Sequence, residues 1–327
     1  MAIHRFEIGA RLVASAAAGL AFSVTANAQD AQIDYPHDVV TLVTHSSPGG
    51  GSDVFLRDMS RYLGEIMGVE FVVENVVGGS SATAMAHMQA ADADGSVIYA
   101  TTPTYIFTSH LSELEATYED LEPLVNVFYD PQVIYTRKDA PFQTLQDVLD
   151  HAKENRSAWG AASPGSLERI TLEQLKRLTG IEDAAIVTTE GGGETMISVL
   201  NGTLDMAIGE IQELRGQLES GDVRMLAVIT EERVEQYPDV PTVVESGIDL
   251  TVEKFRGLAG PQGLPEDVIA AWEQAIPLLL EQPEYKAMYT EANLLPAFMP
   301  HAEYGPFIAA FADEQRQFLI DVGVIQN

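Results

Sequence analysis

Val39-Val40-Thr41-Leu42-Val43-Thr44, then His45-Ser46-Ser47-Pro48-Gly49-Gly50-Gly51-Ser52-Asp53, then residues 54–67, form the stretch that decides the fold. The first six residues are a β-branched apolar run of strand length. Residues 54–67 place Met59, Tyr62, Leu63 and Ile66 near a 3.6-residue spacing, the pattern of a helix with one buried face. A strand that passes through a glycine loop into a helix is the first half of a βαβ unit. The unit continues with a strand at 71–73, a small-residue helix at 81–91 and a strand at 97–101. A β-α-β-α-β order implies a parallel sheet with helices on both faces.

The same pattern restarts downstream. Strands are expected at 133–135, 158–161, 186–187, 206–208 and 224–229. Helices are expected at 145–155, 167–179, 196–201 and 211–219, with Gly180 stopping the second of these. After Pro238, Pro241 and Gly247 come a strand or crossing segment at 255–260 and helices at 265–280, 283–291 and 302–323. A C-terminal helical set without strands packs back onto an existing sheet. The expected architecture is therefore two α/β lobes, 29–130 plus 253–327 and 131–252. The chain crosses between them near 128–133 and 252–257, which makes a hinge over a cleft.

Four glycine or serine loops fall at the carboxyl ends of strands. They are the loop at 46–53, Asn75-Val76-Val77-Gly78-Gly79-Ser80-Ser81, Ser163-Pro164-Gly165-Ser166, and Glu190-Gly191-Gly192-Gly193-Glu194. Open α/β sheets bind ligands at that edge. Helix starts there offer unpaired N–H groups and the positive end of the helix dipole. Each loop taken alone is equally readable as a plain turn with a capping Ser or Asp. Arg169, on the first turn after Ser166, reads either as an anion ligand or as a surface partner of Glu168 or Glu173. Glu210 reads either as a cleft residue or as the cap of the helix beginning at Ile211.

Composition narrows the function. With 18 basic and 49 acidic residues the formal net charge is −31, opposite to what a nucleic-acid binder needs. The 46% hydrophobic content, spread along the chain, argues against disorder. There is no cysteine. Arg5 and Arg11, the apolar run at 12–24 and Ala26-Asn27-Ala28 describe a cleavable secretory leader over residues 1–28. At about 1.5 Å per residue the run covers roughly 20 Å, short of a hydrocarbon core of roughly 30 Å. No G-x-S-x-G elbow or H-E-x-x-H pair occurs, so neither catalytic residues nor a metal or other cofactor are expected. His45 beside Ser46 and Ser47 is read as structural, because neighbours on a strand point to opposite faces.

These motifs resemble the substrate-binding proteins of tripartite tricarboxylate transporters, the Bug family. The likeness rests on Tyr35-Pro36, Ser47-Pro48-Gly49-Gly50 with Asp53, Val73-Glu74-Asn75 with Gly78-Gly79, and Ala93-Asp94-Gly95. It continues through Gly192-Gly193, Leu200-Asn201-Gly202 with Leu204-Asp205, Arg224 to Val228, Tyr237-Pro238-Asp239-Val240-Pro241, and Gly257-Leu258 with Pro261, Gly263 and Pro265. The resemblance implies a periplasmic binding protein type II-like fold, two α/β lobes around a ligand cleft. It implies a monomer that hands a small organic acid to a permease of one large and one small subunit. Carried over, the ligand-binding residues are Ser47, Pro48, Gly50, Asp53, Gly79, Ser80, Ser163, Ser166 and Gly192, with Arg169 and Glu210 added from their own positions. A ligand-presenting sensory receptor, or an exported hydrolase or lyase, are the alternatives. Three departures stand out: Arg169 where the family commonly has His, Thr189-Glu190 where many members have Tyr-Lys, and Gly209-Glu210 where many have Asp-Asn. Glu190 and Glu210 disfavour a polyanion and suit a monocarboxylate, or one carrying an amine or hydroxyl.

Overall fold

Two sheets organise the chain in the computed structural model, which describes residues 33–189, 191–321 and 323–326. The expected leader at 1–28 and Glu190 lie outside the described residues. The first half of the chain runs β1 (Val39–Thr44), α1 (Gly51–Met67), β2 (Glu70–Asn75), a short 3-10 turn (Gly79–Ser81), α2 (Ala82–Gln89), β3 (Val97–Thr101), α3 (Pro103–Leu111) and β4 (Leu121–Tyr129). The middle runs β5 (Gln132–Arg137), α4 (Leu145–Glu154), β6 (Ala158–Ala161), α5 (Leu167–Thr179), β7 (Ala185–Thr188), α6 (Gly192–Leu200), β8 (Met206–Glu210), α7 (Ile211–Ser220) and β9 (Val223–Val228). The end runs β10 (Phe255–Pro261), α8 (Glu266–Glu281), α9 (Pro283–Glu291), β11 (Leu295–Met299) and α10 (His301–Asp321).

The six-stranded sheet has the order β11-β4-β10-β3-β1-β2, and the five-stranded sheet has the order β7-β6-β8-β5-β9. Neither is wholly parallel, which corrects the sequence expectation. β1 pairs parallel with β2 and β3, and β6 pairs parallel with β7 and β8. β10 runs antiparallel to β3 and β4, and β5 antiparallel to β8 and β9. The reason is topological: a strand on which the chain enters or leaves a lobe reverses the local direction. The C-terminal region is also not purely helical, because β11 pairs with β4. Leu295-Pro296-Ala297-Phe298 carries a proline and lies on the sheet edge, where a missing N–H is tolerated.

Strand alternation explains the layers. Val40 and Leu42 of β1 face a core built with α1, α8 and α9, through Phe55, Leu63, Trp272 and Tyr285. Val43 points the other way, into a core with Met85, Tyr105 and Tyr304 of α2, α3 and α10. In the second lobe Ile134 meets α4 and α5, while Val133 and Tyr135 meet α6 and α7. A smaller cluster joins the lobes: Phe107 of α3 and Leu319 of α10 pack with Leu167 and Ile170 of α5. Full burial of such side chains contributes about 1.5–3 kcal/mol each. Opening the cleft by moving α5 away would forfeit part of that.

The two crossings lie side by side. The Asp130 N–H donates to the Lys254 carbonyl at 2.8 Å, and the Val252 N–H donates to the Ile229 carbonyl at 2.9 Å. Two adjacent connections permit bending about their common line while resisting separation. Among the described residues, no helix is long and apolar enough to cross a membrane.

Candidate functional site

The four strand-end loops meet on one cleft of about 690 Å³. Its lining includes Ser47, Pro48, Gly50, Gly79, Ser80, Ser163, Ser166, Gly192 and Glu210. Asp53 and Arg169 lie outside that lining, contrary to the expectation that they face the ligand directly.

Asp53 is buried beneath the first loop. Its carboxylate accepts from the Gly49 N–H at 2.8 Å, from Asn75 Nδ2 at 2.9 Å and from Arg57 Nε at 3.0 Å. Burial raises its pKa, but the bonds from Arg57, Gly49 and Asn75 prevail and hold it below the usual carboxylate range. Asn75 Nδ2 also donates to the Ser46 carbonyl at 2.8 Å, so β2 pins the loop that follows β1. Arg169 turns outward: Nη1 donates to the Pro164 carbonyl at 3.1 Å and Nη2 lies 3.7 Å from Glu173. Both residues shape loops and leave the cleft to the backbone.

That backbone is unsatisfied where the helices begin. The first intrahelical bond of α1 is Val54 N–H to Gly50 carbonyl, which leaves the N–H groups of Gly51 and Ser52 without an acceptor among the described residues. On α6, Glu194 and Thr195 donate to the Gly191 carbonyl, while the Gly192 and Gly193 N–H groups find no acceptor among the described residues. Ser166 caps α5, its Oγ accepting from Arg169 N–H at 3.3 Å. In the second loop Gly78, Gly79, Ser80 and Ser81 all have positive φ, at 141°, 56°, 51° and 89°. For the two serines this costs on the order of 1–3 kcal/mol each. Thr108 Oγ1 donates to the Ser80 carbonyl at 2.5 Å and helps hold that conformation.

The cleft floor carries charges that the motif reading missed. Arg256, on β10, is 1% exposed and pairs with Asp130, also 1% exposed, through Nη2 at 2.5 Å and Nε at 2.7 Å. Its Nη1 donates to Ser52 Oγ at 3.3 Å, and its guanidinium packs against Gly51, where a Cβ would collide with it. Lys254 bridges Glu168 at 2.8 Å and Glu210. Glu210 starts α7 without a side-chain cap bond, so its carboxylate belongs to Lys254 and the cleft. Gln132 Nε2 donates to Glu168 at 2.6 Å. The available signal was local: Lys254 and Arg256 are basic residues at the start of an otherwise apolar strand, beside a crossing.

His45 lines the same floor and shares a 2.7 Å hydrogen bond with Tyr99. Burial, then the nearby Lys254 and Arg256, push its pKa from 6.5 down to about 4. Between these values the unfolded chain takes up a proton that the folded chain refuses, so His45 costs stability as pH falls from about 6.5 toward 4. Glu213, whose pKa is raised to about 7, works in the opposite sense over part of that range. The clean measurement is a difference: the melting temperature of His45→Gln relative to the wild type should rise as pH is lowered from 7 to 5. A constant difference would remove His45 as a titrating group. Among the described residues no set of three His, Asp or Glu side chains is placed to hold a metal ion.

Residues 55–323 match the family model described as "Tripartite tricarboxylate transporter family receptor". A Cupriavidus necator protein, "UPF0065 protein in gbd 5'region", is 25% identical over 313 residues, covering 94% of this chain and 95% of that one. Among solved structures, the periplasmic binding protein BugD superposes with a TM-score of 0.79 at 22% identity, covering 90% of this chain and 100% of its own. An R. palustris protein with adipate superposes with a TM-score of 0.82 at 22% identity, covering 88% and 97%. These likenesses show the fold, a periplasmic-binding-protein type with two α/β lobes.

Proposed function

Because the chain belongs to the tripartite tricarboxylate transporter receptor family, we propose that it is a solute receptor that captures a small organic carboxylate between its lobes. It then presents the acid to a membrane permease of one large and one small subunit. Export through the leader at 1–28 to the periplasm, and a monomeric state, are part of this reading. So is the division into lobes 29–130 plus 253–327 and 131–252, hinged at the paired crossings.

The observation that carries it is the α1 end of the cleft. The free N–H groups of Gly51 and Ser52 lie beside a guanidinium whose five donors are not all used by Asp130 and Ser52. A helix start of this kind contributes roughly 0.3–1 kcal/mol to holding an anion, and up to about 2 when partly buried. This local positive potential offsets a net charge of −31 that repels anions at a distance. The likeness to a protein solved with adipate supports a carboxylate of that general size. A binding protein rather than an enzyme is the reading, in keeping with the receptor family to which the chain belongs.

The test is a thermal-shift screen of organic acids on the leader-free protein. A ligand at about 100 times its Kd stabilises the folded state by about 2.7 kcal/mol. At least one carboxylate should raise the melting temperature, and its effect should vanish in Gly51→Val, whose side chain would displace Arg256. A screen of mono-, di- and tricarboxylates without any shift would overturn the receptor reading.

A further inference from the structure

The cleft is not uniformly built for anions. Among the described residues, Glu168, Glu210 and Glu213 line it against Lys254 and Arg256, and Arg256 is already paired with Asp130 behind the lining. Lys254 serves both Glu168 and Glu210. That leaves Glu213, on α7, with neither an ion pair nor a hydrogen bond among the described residues. Its carboxylate sits directly over Gly192, where a Cβ would strike both of its oxygens. A carboxylate there occupies the space in front of the α6 helix start that an incoming anion would need.

A second set of atoms points the same way. Three polar side-chain atoms are buried without a partner: Thr102 Oγ1 in the lining, and Asp130 Oδ1 and Gln132 Oε1 behind it, on the residues that bond Arg256 and Glu168. Thr102 is itself part of the lining and only 2% exposed. Two of the three are acceptors only, and the third accepts as readily as it donates. Buried acceptors without donors are costly, and an unpaired buried carboxylate more so. At Glu213 the lining therefore holds a carboxylate without an ion pair among the described residues, while the α1 end has donors to spare beside Arg256.

We propose that the ligand carries an ammonium group as well as a carboxylate. The carboxylate lies on the Gly51 and Ser52 N–H groups beside Arg256, and the ammonium lies on Glu213. This rests on the reading of the cleft as the ligand site and adds the class of acid and its orientation. An ammonium brings three N–H donors and one positive charge, which is what Glu213 lacks. A dicarboxylate laid along the same axis would set its second carboxylate against Glu213, where like charges repel.

The proposal predicts a sign for the pH dependence. Burial, then Glu168, push Glu213 up to about 7; Arg256 opposes this and Asp130 adds to it. The groups around Glu213 are Glu168 of α5, Asp130 after β4, Arg256 of β10, Tyr135 of β5 and the Gly192 backbone of α6. An ammonium needs the ionised carboxylate, so affinity should weaken as pH falls below 7, approaching tenfold per pH unit. A second ligand carboxylate would instead accept from protonated Glu213, and affinity would tighten on acidification.

Calorimetry on the leader-free protein with three matched pairs tests this: 5-aminopentanoate with pentanoate, glutamate with glutarate, and alanine with propionate. At pH 7.5 the tightest binder should carry an amine and exceed its amine-free partner by at least tenfold. Glu213→Gln should abolish that preference and flatten the pH dependence between 5.5 and 7.5. If the variant does not fold, the sign of the wild-type pH dependence still decides. Equal or better binding by the amine-free acids, or a preference unchanged in Glu213→Gln, overturns the ammonium assignment and leaves the receptor reading standing. No binding by any of the six overturns the assignment. No shift in the wider acid screen as well overturns both.

Discussion

Arg256→Met should lower the free energy of unfolding by about 3–5 kcal/mol and remove carboxylate binding at the same time. The arginine and Asp130 are each 1% exposed, so removing one strands the other as a buried charge. Gln212 Nε2, at 3.0 Å from Asp130, is the remaining side-chain donor to that carboxylate among the described residues, and a neutral amide cannot replace a guanidinium. The effect on binding arises separately, because the same guanidinium packs on Gly51 and donates to Ser52 at the helix start. A double variant, Asp130→Asn with Arg256→Met, separates the two. Replacing a buried pair together is far less harmful than breaking it, so urea denaturation should show most of the stability regained. Calorimetry should show binding still absent. Recovery of both would mean that Arg256 acts only as a structural partner of Asp130.

Gly165→Trp should weaken ligand affinity at least tenfold, and should cost the ligand-free protein no more than part of the burial that joins α5 to α3 and α10. Gly165 sits on the second-lobe loop, and a Cβ there would lie 2.8 Å from Thr108 Oγ1 and 3.2 Å from Ser80 Cβ, both in the first lobe. A large side chain at that point wedges the lobes apart without entering either core. If the closed form falls to a tenth of its population, the apparent Kd rises tenfold. Small-angle scattering should show a larger radius of gyration in the presence of ligand than for the wild type. An unchanged Kd would mean that the loop shifts to accept the indole, and that closure at this contact does not govern binding.

Much of the fold was legible because its signals are local. The run at β1, the 3.6-residue stripe of α1 and the Gly180 stop of α5 report backbone preferences that act within a few residues. The boundaries that moved did so for local reasons as well. α1 begins at Gly51 and α6 at Gly192, each inside a glycine run that carries no periodicity to read. Other elements were missed because their evidence is not local. β4 pairs with β10 and with β11, so the strand character of β4 and β11 depends on partners elsewhere in the chain. The candidate site divides along the same line. Loops at strand ends could be found from glycine and serine patterns, and nine of the eleven residues singled out line the cleft. Asp53 and Arg169 were misplaced because a side chain's direction depends on which neighbour competes for it, here Asn75 and Arg57 for one and Glu173 for the other.

By itself, the order of residues determined that this chain would build two α/β lobes with glycine loops at the strand ends, since periodicity and turn chemistry are properties of short segments. Only the folded molecule decided which charges face the cleft. Arg256 meets Asp130 across 126 positions and Ser52 across 204, and Lys254 meets Glu168 across 86. Coulomb and hydrogen-bond energies depend on separation in space, and the balance that leaves Glu213 alone beside Gly192 exists only once β10, α5 and α7 are brought to the same floor.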